Sequence, residues 1–280
     1  MVLIDVTNLS YRYKDGTQAL NRLSLTISQG RKTAILGPNG AGKSTLLLHL
    51  NGILLAQEGQ VSFAGEIISA KNEHWVRSKV GLVFQDPDDQ VFSTTVWEDV
   101  AFGPTNMGLR QDEINERVAK ALAAVGMSKY EKKAPYNLSY GQKKRVAIAG
   151  VLAMNPEVII LDEPGAFLDP RGEDDLYEIL DELNKQGTTI IIATHDTDLA
   201  VEWADDLIVI RDGQCLGQGG PEILADESII EKANLRFPVV TRIFNQIPEL
   251  GLEKKPQTIG DAVTLISDLI KARSVKNESL

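Results

Sequence analysis

The chain has 280 residues, 43% of them hydrophobic, enough for one large α/β domain with a smaller appendage. Its 29 basic and 39 acidic side chains leave a formal charge of −10, a poor surface for a phosphate backbone, so nucleic acid is not an expected partner. The single cysteine, Cys215, excludes an internal disulfide and a cysteine-built metal site.

In chain order, residues 3–27 alternate apolar and polar positions around a break at Lys14, Asp15 and Gly16, which predicts antiparallel strands joined by a turn. Residues 33–36 form a short apolar strand running into glycine-rich sequence, then a helix from about Lys43 to Asn51 that stops at Gly52. Residues 80–84 predict another buried strand. Ile114, Val118, Ala121, Leu122 and Val125 recur at helical spacing before Gly126, and a second helix begins after Leu138 and runs to Met154. The β-branched runs 158–161 and 189–193 suit strands buried on both faces, with an amphipathic helix over 173–184 between them. Strand, helix and strand in that order predict right-handed crossovers and a mostly parallel sheet. Beyond about Gly220, Val240, Ile243, Phe244 and Ile247 share one helical face, and Ile259, Ala262, Val263, Ile266, Leu269 and Ile270 share another, so residues 221–280 read as a small helical module. The N-terminus lacks the pattern of a signal peptide, and no segment holds the roughly 18 apolar residues of a membrane span. A membrane role would require docking on a partner.

The chemistry starts at GPNGAGKS, which fits G-x-x-x-x-G-K-[ST] between a strand and a helix. Gly37, Pro38, Asn39, Gly40, Ala41 and Gly42 would wrap main-chain N–H groups around phosphate oxygens, with Thr45 just behind in the helix. Lys43 would reach the β- and γ-phosphates, and Ser44 would hold Mg²⁺. Residues 158–164, VIILDEP, deliver Asp162 and Glu163 to the C-terminal edge of a buried strand, where parallel sheets bind ligands. Asp162 suits the Mg²⁺ shell, and Glu163 suits a general base for an attacking water. His195 follows the strand 189–193 and can donate to a γ-phosphate. His49 and His74 read as ordinary structural histidines. Gln85, after the strand 80–84, offers an uncharged amide able to touch both Mg²⁺ and the water. Ser139 and Gly141 sit at a helix start followed by Lys143, Lys144 and Arg145, a second anion-favouring helix end or simply an N-cap.

Together and in this order, these residues resemble the nucleotide-binding subunits of ABC transporters across about residues 2–220. The resemblance implies a P-loop core with an antiparallel β subdomain and a helical subdomain at roughly 86–155, binding ATP and Mg²⁺. The family signature LSGGQ is matched by Leu138, Ser139, Gly141 and Gln142, with Tyr140 in place of a glycine. By that resemblance Ser139, Gly141 and Gln142 reach an ATP held by a second ATPase chain, Gln85 is the Q-loop, His195 the switch histidine, and Asp169 belongs to the D-loop. Gly165 and Phe167 depart mildly from the usual approach to that loop. Tyr13 matches the aromatic that stacks on adenine, with Tyr11 on the same strand face as its rival. The presence of both half-sites in one chain permits a homodimer, while a heterodimer stays open. Residues 84–104, FQDPDDQVFSTTVWEDVAFGP, and Leu235 to Pro238 narrow the resemblance to energy-coupling factor transporters of the cobalt and nickel type, with related vitamin importers as the alternative. That implies a peripheral protein on the cytoplasmic face of the membrane. A transmembrane coupling subunit would dock after the Q-loop, facing Asp86, Asp88 and Asp89, and the C-terminal module would support dimer contacts. Soluble ABC ATPases with coiled-coil inserts or two cassettes fit less well, and a GTPase lacks its base reader, since Asn184 and Lys185 are followed by Gln186 and Gly187.

Overall fold

In the computed structural model, which describes residues 1–252 and 255–278 with side chains to residue 271, two sheets flank one buried helix. The first is antiparallel, in the order β2-β1-β4-β5, from β1 (Val2–Arg12), β2 (Gln18–Ser28), β4 (Glu58–Phe63) and β5 (Glu66–Ile67). The turn between β1 and β2 falls at the predicted break, where the Tyr13 amide donates to the Thr17 carbonyl at 2.9 Å.

The second sheet has six strands in the order β10-β9-β3-β8-β7-β6. Its parallel body comprises β3 (Lys32–Leu36), β6 (Val80–Val83), β7 (Val158–Asp162), β8 (Thr189–Thr194) and β9 (Asp206–Arg211). The hairpin strand β10 (Gln214–Gly219) closes one edge antiparallel to β9. Alternation along the strands divides the core in two. Val158, Ile160 and Ile191 join β1 and β2 around α1 (Lys43–Leu50), whereas Ile159, Leu161, Ile190 and Ile192 face the helices of the other side. Period-2 side-chain direction is the cause: a strand buried on both faces must be apolar at every position.

The helical side carries α3 (Val96–Asn106), α4 (Gln111–Ala124), α5 (Tyr140–Ala153), α6 (Pro170–Lys185) and α7 (Thr197–Trp203), while α2 (Glu73–Lys79) leads into β6. Residues 86–155 thus contain three helices, α3 to α5, packed mutually through Val100, Ile114, Val118 and Ile148. The periodicity reading omits α3, although Val96, Val100, Ala101 and Pro104 bury one helical face. Pro104 sits in the last turn of α3, where its missing N–H removes one bond without breaking the segment. Past residue 220, α8 (Glu227–Ala233) packs Ile230 and Ala233 into the main core, followed by α9 (Val239–Asn245) and α10 (Ile259–Glu278). Residues 253, 254, 279 and 280 of the expected C-terminal module lie outside the described residues.

Candidate functional site

A cleft of about 550 Å³ opens at the C-terminal edge of β3, β7 and β8, lined by the glycine-rich loop, Tyr13, Gln85, Asp162, Glu163 and His195. The topology explains the meeting. Three adjacent parallel strands end at the same edge, so the segments that follow them share one cleft. Two glycines make the loop possible. Gly40 and Gly42 have φ of +80° and +102°, and a Cβ on Gly42 would lie 2.5 Å from the Ala19 carbonyl.

Lys43 opens α1 and is only 7% exposed; its Nζ donates to the Gly37 and Pro38 carbonyls at 2.7 and 3.3 Å. The same ammonium lies 3.7 Å from Glu163 Oε1. Glu163 is held at φ +44°, a left-handed conformation that costs a non-glycine residue on the order of 1 kcal/mol or more. Its amide donates to the Ala193 carbonyl, and His195 Nδ1 lies 3.1 Å from both of its carboxylate oxygens. A carboxylate, an ammonium and an imidazole therefore meet beside the glycine-rich loop.

Burial raises the carboxyl pKa of Asp162 above its ordinary value, and the Ser44 hydroxyl, hydrogen-bonded to it, opposes that rise. Ser44, Asp162 and the Gln85 amide form an oxygen-only donor set with one carboxylate. That suits a hard divalent ion completing its shell on phosphate and water. Gln85 is exposed at the end of β6. Its main-chain oxygen takes hydrogen bonds from Tyr140 Oη at 3.1 Å and Lys144 Nζ at 2.9 Å. Lys144, singled out in the sequence only as part of a basic helix start, is 1% exposed, and burial lowers its pKa to about 8.

The two tyrosines differ in their access to the cleft. β1 ends at Arg12, so Tyr13 lies just beyond the strand, yet its ring still meets that of Tyr11 edge-on, with centroids 5.1 Å apart. Tyr13 borders the cleft, 38% exposed, with its hydroxyl 3.0 Å from Thr45 Oγ1. Tyr11 also packs edge-on against the buried His49 and does not line the cleft. His49 Nδ1 meets the Thr45 carbonyl at 2.7 Å, an ordinary structural histidine, and His74 is exposed. Replacing Tyr13 by Ala removes a stacking face, so ATP affinity should fall about tenfold, the scale of one aromatic contact. Titration with a fluorescent ATP analogue measures it, and an unchanged Kd would move the adenine elsewhere.

The structure does not bring Ser139, Gly141, Gln142 or Asp169 into this cleft. They line a separate one, of about 870 Å³, with Phe167 bordering both. Ser139 caps α5 in a capping box, its Oγ accepting from the Gln142 amide while Gln142 Oε1 accepts from the Ser139 amide. Asp169 caps α6 by accepting from the Gly172 amide at 2.7 Å. Tyr140 leans onto Phe167, with ring centroids 5.5 Å apart.

Comparison with known proteins agrees with this geometry. The ABC transporter family profile matches residues 20–166. The energy-coupling factor transporter ATP-binding protein EcfA of Carboxydothermus hydrogenoformans is 49% identical over 89% of this chain and 93% of its own length. EcfA of Methanococcus maripaludis is 48% identical over 97% and 99%. Among solved structures, CbiO1 from Clostridium perfringens, part of the ABC transporter complex CbiONQ, superposes with a TM-score of 0.74 at 45% identity, covering 87% of this chain and 99% of CbiO1. A dimeric bacterial ABC transporter cassette gives 0.71 at 28% identity, covering 78% and 99%. The fold and these likenesses agree: the chain belongs to the ABC transporter family, as an ATP-hydrolysing subunit of the energy-coupling factor type.

Proposed function

We propose that two copies of this ATPase close around two Mg-ATP molecules and drive an importer of cobalt or nickel ions through a transmembrane coupling subunit. The observation that carries the two-chain reading is the separation of half-sites. The phosphate loop, Glu163 and His195 share one cleft, whereas Ser139 and Gly141 line another on the same chain. A second copy facing the first would supply its signature helix end to the bound phosphates. When bound, Mg²⁺ supplies charge neutralisation on the phosphates, and Ser44, Asp162 and Gln85 are the residues that would hold it. Tyr13 stacks on adenine, Lys43 neutralises the terminal phosphates, Glu163 orients and deprotonates the attacking water, and His195 holds both the carboxylate and the γ-phosphate. The catalysis is positioning and charge stabilisation.

None of the helices in the described residues is long and apolar enough to cross a membrane. Attachment is therefore peripheral in this reading, through a groove of about 410 Å³ between β6, α3 and α5. Phe92 and Phe102 stand 67% and 50% exposed there with centroids 5.1 Å apart, and Asp86, Asp88 and Asp89 lie on the adjoining loop. An apolar floor with an acidic margin suits an amphipathic segment carrying basic residues. Phe92→Asp should abolish co-purification of the coupling subunit while ATP affinity stays within about twofold, since Phe92 is outside the nucleotide cleft. Retained co-purification would remove the groove from the docking surface.

The cargo reading rests on residues 84–104 and on the likeness to CbiO1. It is tested by measuring uptake of labelled cobalt, nickel and vitamins in cells expressing the complete transporter. Metal uptake that disappears with Lys43→Ala supports it. Uptake of a vitamin alone overturns it.

A further inference from the structure

The first turn of α5 directs its side chains onto the loop after β6, within one chain. The Tyr140 hydroxyl and Lys144 Nζ, one helical turn apart, both donate to the Gln85 carbonyl, at 3.1 and 2.9 Å. Lys144 Nζ also lies 3.4 Å from the Glu163 carbonyl and 5.8 Å from the centroid of the Tyr140 ring. Beside them Lys143 pairs with Asp88 at 2.5 Å. A buried ammonium is costly unless its hydrogen bonds are made, and Lys144 is 1% exposed. Both of its bonds go to main-chain oxygens of residues assigned to water activation. Neither Lys144 nor the Tyr140 side chain has a place in the nucleotide cleft.

We propose that Tyr140 and Lys144 are positioning residues that hold the Gln85 carbonyl together, with Lys144 tying it to the Glu163 carbonyl. The end of α5 then sets where the Gln85 side chain stands relative to the attacking water. The inference rests on the roles given above to Gln85 and Glu163. It also assigns a purpose to Tyr140. Its bulk, which stands where the family signature has glycine, is turned back onto its own chain. The same helix lines the docking groove through Val146, Ala147, Gly150 and Val151. A partner that displaces α5 would therefore move Gln85 through these two donors.

The test uses the full chain. Steady-state hydrolysis is measured for Tyr140→Phe, Lys144→Met, Lys144→Gln and the Tyr140→Phe/Lys144→Met double variant. Amide hydrogen exchange across residues 84–90 is followed in parallel without nucleotide. Expected kcat losses are about threefold for Tyr140→Phe and about tenfold for Lys144→Met, the latter a charge-assisted bond, with KM for ATP within about twofold. Because both donors share one acceptor, the double variant should lose less than the product of the single losses. Lys144→Gln, which restores an N–H donor, should recover part of the rate. Exchange across 84–90 should quicken in both single variants.

A purely structural role would lower thermal stability without this kcat-selective, non-additive pattern. Wild-type kcat in Tyr140→Phe and Lys144→Met overturns the proposal, as does unaltered exchange in both. If Lys144→Met does not fold, Tyr140→Phe, which keeps its ring against Phe167, decides alone. A Glu163→Gln protein that hydrolyses ATP normally sinks the underlying reading instead, and hydrogen exchange then still decides whether the two donors hold the loop.

Discussion

Glu163→Gln should retain ATP, lose at least about a hundredfold in hydrolysis, and accumulate as a dimer that forms only with Mg-ATP. The rate loss is the usual scale for removing a general base. The geometry explains why binding survives. Glu163 presents its carboxylate to Lys43 at 3.7 Å and to His195 at 3.1 Å, so it is a negative group beside the expected γ-phosphate. Glutamine has the same shape without the charge. It keeps an oxygen to accept from His195 and removes a repulsion that ATP would otherwise meet. The left-handed backbone at residue 163 is unaffected, since the substitution leaves the main chain alone.

Sedimentation of this variant with and without Mg-ATP distinguishes three outcomes. An ATP-dependent dimer supports the two-chain sandwich and shows that Tyr140 does not obstruct closure. A persistent monomer with confirmed ATP binding means that one chain cannot supply both half-sites, and a second kind of ATPase subunit is required. A dimer formed equally without ATP transfers the assembly to the C-terminal helices, where Ile243, Val263 and Ile266 stand about half exposed. Turnover at the wild-type rate would remove Glu163 from water activation.

The parallel core was legible because burial on both faces leaves a strong mark on composition. Residues 158–161 and 189–193 read as strands from β-branched runs alone, and β7 and β8 appear there within a residue or two. The glycine-rich loop was legible because its turns need residues free to take positive φ, as Gly40 and Gly42 do at +80° and +102°. α3 was missed through its Gly103 and Pro104, although its buried face at Val96, Val100 and Ala101 carried a usable signal. Strand parity puts Tyr11 and Tyr13 on one face, and their rings do meet at 5.1 Å, but parity does not say which of them borders the cleft. β1 ends between them, and only Tyr13, beyond the strand, lines the cleft. The contacts of Lys144 had no signal at all. Its partners are main-chain oxygens some 60 and 20 residues away in sequence, and a carbonyl leaves no trace in the identity of its residue.

Lys43→Ala should reduce ATP affinity by at least about a hundredfold and take hydrolysis below detection, because it removes the one cation of the phosphate loop. The buried ammonium rests on the Gly37 and Pro38 carbonyls, the loop's own oxygens, and faces Glu163. Those carbonyls are neutral and weaker partners than a triphosphate, so the lysine is poised to exchange them for phosphate oxygens with little movement of α1. Alanine deprives Glu163, only 13% exposed in its side chain, of that ammonium and leaves it the hydrogen bond with His195. An incoming phosphate would then meet a carboxylate with no intervening cation. Lys43→Arg should fail as well, since a planar guanidinium cannot fit where Lys43 is 7% exposed and bonded to two carbonyls of a tight loop. Calorimetric ATP titration of both variants, with their melting temperatures as the check on folding, measures the effect. A folded Lys43→Ala protein with wild-type ATP affinity would show that the phosphates are not held by this loop, and the cleft at the edge of β3, β7 and β8 would lose its claim as the nucleotide site.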